Sequence, residues 1–413
     1  MKKIRFSLLF LCVLTLTSCS SSPITIPYSD EQNVQQNSMN EIISVCDTDD
    51  KVIDKIEHFG SIAQTEDGFI YSKLSENSKE TLLEMEYYQY DFSENQSIKL
   101  GSINEWVYEA SYDTIYDSNH IYMLVTTGNS YNFDKTTNYL YDIDLKQNIM
   151  SATVLENGNS PYNSMTLIGN KVLIVTPGKE KCYINEYDIK SKSLSTIKEY
   201  SFNSETNTGD TIRHISSDKQ YVYLLRLKME TETNVQIYVD VYDWNMELIT
   251  SIDVTAAISE NVLETEDINN ELRQLVSHFD VNNGYVYYEN FSVTRALFEI
   301  QPVNTDSRDN QVITKQVVNA SPQFSKAANP TNDNTLVSFY EAYDNNIFIL
   351  DTHNRQIEQY EFFAKNPDYY ITYMTQNSKE DVLIFVNYKD HKTAETLSPK
   401  VYFLNISDLE KQE

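Results

Sequence analysis

Three near-equal intervals constrain this chain more than any other feature. An apolar or aromatic run follows a polar turn at Gly68 (Phe69-Ile70-Tyr71) and at Asn119-His120 (Ile121-Tyr122). It returns after Gly169-Asn170-Lys171 (Val172-Leu173) and after Asp218-Lys219-Gln220 (Tyr221-Val222-Tyr223). From Tyr71 to Tyr122, Leu173 and Tyr223 the steps are 51, 51 and 50 residues. The mark continues at Tyr285-Val286-Tyr287, Ile347-Phe348 and Val382 to Phe385, with steps of 64, 61 and 37. A period of about 50 residues implies a repeat architecture, in which each unit buries its apolar faces against its neighbours.

A second mark alternates strictly with the first. It is an aromatic-rich run that usually ends in an acid: Tyr88-Gln89-Tyr90-Asp91, Tyr141-Asp142-Ile143-Asp144, Glu186-Tyr187-Asp188 and Val241-Tyr242-Asp243. Weaker copies are Leu297-Phe298-Glu299, Gln359-Tyr360-Glu361 and Tyr402-Phe403-Leu404-Asn405. Val235, Ile237, Val239 and Val241 alternate with Gln236, Tyr238, Asp240 and Tyr242, the period of a strand. A further short run follows several second marks, as at Ser97 to Leu100, Ala152 to Leu155, Leu248 to Ile252 and Val312 to Thr314. Four strands per unit predict an all-β chain, a seven-bladed β-propeller of four-stranded blades. The repeated aromatics fill the space between neighbouring sheets, and the closing acid starts a turn.

Little chain follows the last second mark, whereas Val52 to Phe59 precedes the first unit. That N-terminal strand is expected to complete the last blade and close the ring. The long step before Tyr285 holds Ile268, Leu272, Leu275, Val276 and Phe279 on one helical face. One inserted helix over about 265–279 is therefore predicted. The 61-residue step reads as holding longer loops, one around Thr305 to Asn310 and another around Asn319 to Asn334.

The N-terminus has a different logic. Lys2, Lys3 and Arg5 precede an uncharged, mostly apolar run, Phe6 to Leu16, of 11 residues. That length suits a signal-peptide core and is too short to span a bilayer. Leu16-Thr17-Ser18-Cys19 resembles a bacterial lipobox. The resemblance implies cleavage after residue 18 and lipidation of Cys19, with the product held at the cell membrane and facing away from the cytoplasm. Multiple acyl chains anchor stably where one does so marginally. Ser20 to about Asp49 is polar and reads as a flexible tether. The expected organisation is a lipoprotein signal peptide over 1–18, a tether over 19–49 and the propeller over 50–413.

The formal net charge is −29. Such a surface repels nucleic acid and anionic headgroups, so neither is an expected partner. The acids are scattered, as in a solvated face. Cys46 and Cys182 remain after the signal peptide, too few for a disulfide framework; Cys182 is expected in a strand.

Chemical motifs are not found. His58, His120, His214, His278, His353 and His391 lack metal-ligand spacing. No Gly-x-Ser-x-Gly, phosphate loop or dinucleotide fingerprint occurs. The acidic stretches at Asp47 to Asp50 and Asn329 to Asn334 read as solvated turns rather than calcium loops.

The two marks together resemble blades of bacterial extracytoplasmic propeller proteins of quinoprotein-like and surface-repeat types. Quinoprotein blades carry a regular tryptophan pattern. This chain has only Trp106 and Trp244, so the resemblance implies architecture and no cofactor. The expected function is a surface-tethered binding or scaffolding lipoprotein with a protein or glycan partner. Two alternatives stand beside it. One is an enzyme on extracellular polysaccharide using acids around the channel. The other is an envelope-assembly, chaperone-like propeller that takes extended partners.

Overall fold

Each first mark lies beside its own second mark in an antiparallel ladder. Phe69 faces Tyr90, Ile121 faces Ile143, Val172 faces Tyr187 and Val222 faces Tyr242. The weaker copies behave alike: Val286 faces Phe298, Ile347 faces Tyr360 and Val382 faces Leu404. The computed structural model describes most of residues 63–405; the longest internal stretch outside that description is 256–277.

The described strands form successive antiparallel meanders in chain order. The first runs β1 (Ala63–Gln64), β2 (Gly68–Leu74), β3 (Met85–Asp91) and β4 (Gln96–Ile103). The second runs β5 (Trp106–Tyr116), β6 (His120–Gly128), β7 (Thr136–Asp144) and β8 (Ile149–Val154). The third has β9 (Ser164–Ile168), β10 (Lys171–Pro177), β11 (Lys181–Asp188) and β12 (Ser193–Asn203). The fourth has β13 (Thr208–Ser217), β14 (Tyr221–Thr231), β15 (Asn234–Asp243) and β16 (Leu248–Asp253). β12 also pairs with β13, through Phe202–Gly209 and Asn203–Thr208, so these two meanders make one eight-stranded sheet. Gly209 permits this hairpin: its φ is +107°, and a Cβ there would lie 2.3 Å from the Ser201 carbonyl oxygen.

The fifth meander has β17 (His278–Asn282), β18 (Tyr285–Glu289), β19 (Arg295–Ile300) and β20 (Val312–Val317). The sixth has β21 (Ser321–Pro322), β22 (Leu336–Tyr340), β23 (Asn346–Asp351) and β24 (Gln356–Glu361). The last has β25 (Tyr369–Gln376), β26 (Asp381–Tyr388) and β27 (Lys400–Asn405). In the sixth, the two marks fall on β23 and β24 rather than on the second and third strands, because β21 is added at the inner edge of β22.

Sheets stack face to face, with alternate residues serving opposite neighbours. Ile121, Met123 and Val125 of β6 pack with Ile70, Tyr87, Leu100 and Ile103 of the first meander. Tyr122 and Leu124, from the same strand, pack with Met165, Leu167, Val172, Ile174 and Tyr187 of the third. Leu173 and Val175 then turn to Ile212, Ile215, Val222 and Leu224 of the fourth. This is the period-two rule applied to a strand buried on both faces. The outer strands are the least buried: β8 and β12 are mostly exposed, whereas β9, the first strand of the third meander, is wholly buried. First strands contact one another in succession from β1 to β5, β9, β13 and β17, and β25 touches both β22 and β1. Radial four-stranded meanders of this kind are β-propeller blades.

One expectation is corrected. His278 and Phe279, assigned to the last turn of the inserted helix, are strand: they pair with Glu289 and Tyr288. The helical spacing of apolar residues ran on into an alternating strand and took its first two positions with it. Residues 265–277 and Val52 to Phe59 lie outside the described residues, as does Cys19.

Candidate functional site at the inner strands and buried charges

The polar side chains of the innermost strands link neighbouring meanders. Ser217 on β13 donates to the Leu167 carbonyl of β9 at 3.2 Å and meets Thr166 Oγ1 at 2.7 Å. Ser164 Oγ accepts from the Ile215 amide at 3.2 Å. Gln376 on β25 reads the backbone of β22 with both ends of its amide. Its Oε1 accepts from Ser338 N at 2.9 Å and Ser338 Oγ at 2.8 Å, and its Nε2 donates to Leu336 O at 2.8 Å. All three residues are buried. These bonds satisfy groups that would otherwise be stranded away from water.

Two carboxylates are buried among the described residues, Asp142 and Asp240, and each is matched by bases. Arg226 grips Asp240 with two bonds, Nε to Oδ2 at 2.6 Å and Nη2 to Oδ1 at 3.1 Å. Its Nη1 reaches Asp210 at 3.0 Å, and its guanidinium lies 4.6 Å from the Tyr238 ring centre. Ser251 Oγ donates to Asp240 Oδ1 at 2.5 Å. Burial opposes the Arg226 charge, but the bonds to Asp240 and Asp210 outweigh it and push its pKa up. Such a planar fork suits a carboxylate in a way lysine cannot match.

Asp142 holds His120, with Nδ1 2.7 Å from Oδ1. Its other oxygen lies 3.5 Å from Lys192 Nζ, a residue of the third meander. His120 stacks on Tyr122 at 6.0 Å. The sequence places His120 in a polar turn; in the structure it is the first residue of β6. Nothing in the sequence singles out Asp142 as its partner, because the pairing crosses a strand ladder.

A further polar contact joins β12 to β15. Tyr200 and Tyr242 share a hydroxyl bond of 2.9 Å, and Lys198 Nζ sits 3.9 Å above the Tyr242 ring. Burial raises the Tyr200 pKa far above the ordinary phenol value.

The closing acids of the second marks cap turns, as their position suggested. Asp91 Oδ1 accepts from Ser93 Oγ, Ser93 N and Glu94 N. Asp144 takes Lys146 N and Gln147 N, Asp188 takes Ser191 N, and Asp243 takes Asn245 N and Glu247 N. Asn148, Lys192 and Met246 then adopt positive φ, which closes the hairpins. These bonds favour the ionised form and hold the four pKa values below the ordinary carboxylate value.

Cys182 lies in β11, as expected, and is buried; its thiol is 3.7 Å from the Ile212 carbonyl. Among the described residues no group of three or more His, Cys, Asp or Glu side chains could hold a metal ion. Asp47 to Asp50 and Asn329 to Asn334 lie outside them.

No family model matches the chain, and no curated protein does. Solved structures that it is similar to include the β-propeller domain of the trilobed protease from Pyrococcus furiosus. That match has a TM-score of 0.43 at 11% identity and covers 73% of this chain and 82% of that one. An acylaminoacyl peptidase from Pyrococcus horikoshii gives 0.42 at 11%, covering 68% of this chain and 43% of the peptidase. TolB from Acinetobacter baumannii gives 0.34 at 11%, with 67% and 62% covered. The assignment of propeller blades therefore rests on the pairing and stacking of this chain's own strands.

Proposed function

We propose that the chain is a surface-tethered binding or scaffolding module: a lipid anchor at Cys19, a polar spacer over 19–49 and a seven-bladed ring. The observation that carries this reading is the fate of the two buried carboxylates. Asp240 is held by Arg226 and Asp142 by His120 and Lys192, so both buried carboxylates serve to tie strands into a rigid frame. The acidic surface favours a protein or glycan partner over nucleic acid.

Ring closure by Val52 to Phe59 belongs to the same proposal. In the first and third meanders the fourth strand leads within a few residues into the next first strand, from Ile103 to Trp106 and from Asn203 to Thr208. By the same chain order, the segment just before β1 is the one that would serve as a fourth strand. β1 lies beside β25, and the last sheet has three strands among the described residues. Pairing of 52–59 with β27 supplies the fourth.

The test is made on cells that produce the full chain. Radiolabelled palmitate is expected in the wild type and not in a Cys19→Ala variant, which moves to the medium. Cross-linking on intact cells then captures a partner with the anchored protein. An unlabelled wild-type chain would remove the anchor, and absence of any captured partner would remove the binding role.

A further inference from the structure

Gln64 and Gln376 occupy the same place in the repeat. Gln64 on β1 faces Phe69, and Gln376 on β25 faces Val382; Phe69 and Val382 open equivalent second-strand runs. Ser217 on β13, opposite Val222, is a third copy of the position. Ser217 bonds to β9, the first strand of the third meander, and Gln376 bonds to β22, the second strand of the sixth. Where it carries serine or glutamine, as at Ser217 and Gln376, the position stitches neighbouring meanders; Tyr116, Leu167 and Val281 occupy it elsewhere.

Gln64 carries the same side chain as Gln376 and makes none of its bonds. It is 1% exposed, yet neither its Nε2 nor its Oε1 has a hydrogen-bond partner. Thr65 Oγ1, next to it, is also buried and unpaired. Each such group forfeits its hydration without a replacement bond. By strand alternation Gln64 shares a face with Phe69, whose ring meets Phe385 of the last meander. The amide thus faces the seam between the first and last meanders.

The seam has a reason to be unstitched. Gln376 binds β22 where that strand is regular: Leu336 to Tyr340 pair without interruption. The equivalent stretch of β25 carries a bulge between Ile371 and Tyr373. A bulge displaces one amide and one carbonyl from the spacing that Gln376 uses, two residues apart. β25 therefore does not offer Gln64 what β22 offers Gln376.

We propose that Gln64 is a docking point for an extended peptide segment of a partner protein, received in the seam between β1 and β25. The segment's amide goes to Oε1 and a carbonyl two residues earlier takes the Nε2 proton, as Ser338 and Leu336 do with Gln376. Because Gln64 is shielded from solvent, the peptide enters by parting this seam, where the position that stitches its neighbours makes no bond. The inference rests on the binding-module reading and names the partner's chemistry as polypeptide rather than glycan. Backbone recognition of this type supplies affinity with little demand on side chains.

The experiment uses the full mature chain and its Gln64→Met and Gln376→Met variants. The probe is a pool of acetylated, amidated nonapeptides of random sequence. Without peptide, Gln64→Met is expected to melt at or above the wild-type temperature, since it removes two unpaired buried atoms. Gln376→Met is expected to melt lower. With peptide, the wild type and Gln376→Met retain the pool, and Gln64→Met retains about tenfold less. Amide exchange in β1 and β25 slows in the wild type alongside retention. The proposal is overturned if Gln64→Met is destabilised as much as Gln376→Met, because the amide is then already bonded within the ring. It is equally overturned if peptide retention does not depend on Gln64. In that case, capture of a cell-surface partner by wild type and Gln64→Met alike leaves the binding-module reading standing.

Discussion

Phe69 and Phe385 meet edge to face, with ring centroids 6.0 Å apart and planes at 86°. One belongs to the first meander and the other to the last, and both are buried. Contacts this distant in sequence form only after the intervening loop-closure entropy has been offset by the rest of the fold. The pair therefore reports on whether the two ends of the ring are held together.

Phe385→Ala is expected to cost about 3–5 kcal/mol, the usual range for removing a buried phenylalanine. Urea unfolding monitored by tyrosine fluorescence measures it. A loss under about 1 kcal/mol would show that the two ends do not pack as one body.

Arg226→Met leaves Asp240 buried at 2% side-chain exposure without its main counter-charge. The expected loss is about 3–5 kcal/mol. The double variant Arg226→Met/Asp240→Leu recovers most of it, because the uncompensated charge is gone. A double variant as unstable as the single one would contradict this account of the pair.

Acid stability depends on the turn-capping aspartates. Asp91, Asp144, Asp188 and Asp243 have folded pKa values below the ordinary aspartate value. Their contribution is therefore complete above the unfolded value and is lost as pH falls through the lower folded values. Replacing all four with Asn keeps a side-chain oxygen for each turn and removes the titration. Melting temperatures followed from about pH 5 down to about pH 2 are expected to fall less steeply in that variant. Parallel acid limbs in the two proteins would assign the acid sensitivity to other groups.

Cys182 tests the closeness of the third and fourth meanders. Burial raises its thiol pKa and keeps it protonated at neutral pH. Iodoacetamide is expected to leave the Cys182 peptide unmodified in native protein and to label it in urea, as read by mass spectrometry. Fast labelling of the native protein would mean that β11 is not covered by β13.

Much of the fold was legible because the second and third strands are long and carry the densest apolar alternation. Val222 and Leu224 are buried on one face of β14 and Tyr223 and Leu225 on the other, and that demand writes a strong apolar run into the sequence. The first strands were harder to read. β1 is Ala63–Gln64 and β21 is Ser321–Pro322, too short to show any period. The displaced marks of the sixth meander follow from that unreadable β21. The site was less legible than the fold. Gln376 and Ser338 are 38 residues apart, and Arg226 and Asp240 meet across a ladder. Glutamine and aspartate at these positions look like ordinary polar residues until the register places them. The apolar spacing that predicted a helix up to Phe279 shows the converse failure, in which a strand start matches a helical face by chance.

The hairpin that carries β12 into β13 has a mechanical consequence. Among the described residues the other neighbouring blades are joined by side-chain packing and side-chain hydrogen bonds, with no backbone ladder between them. Between the third and fourth there is also a backbone ladder to shear, and Gly209 lets the chain turn tightly enough to form it. Residues 164–254 thus behave as a single slab. Under tension applied through the chain ends, as in flow past a tethered molecule, the flanking blades are expected to unravel first and this slab last. A pulling experiment would register it as one large terminal step rather than two of ordinary size.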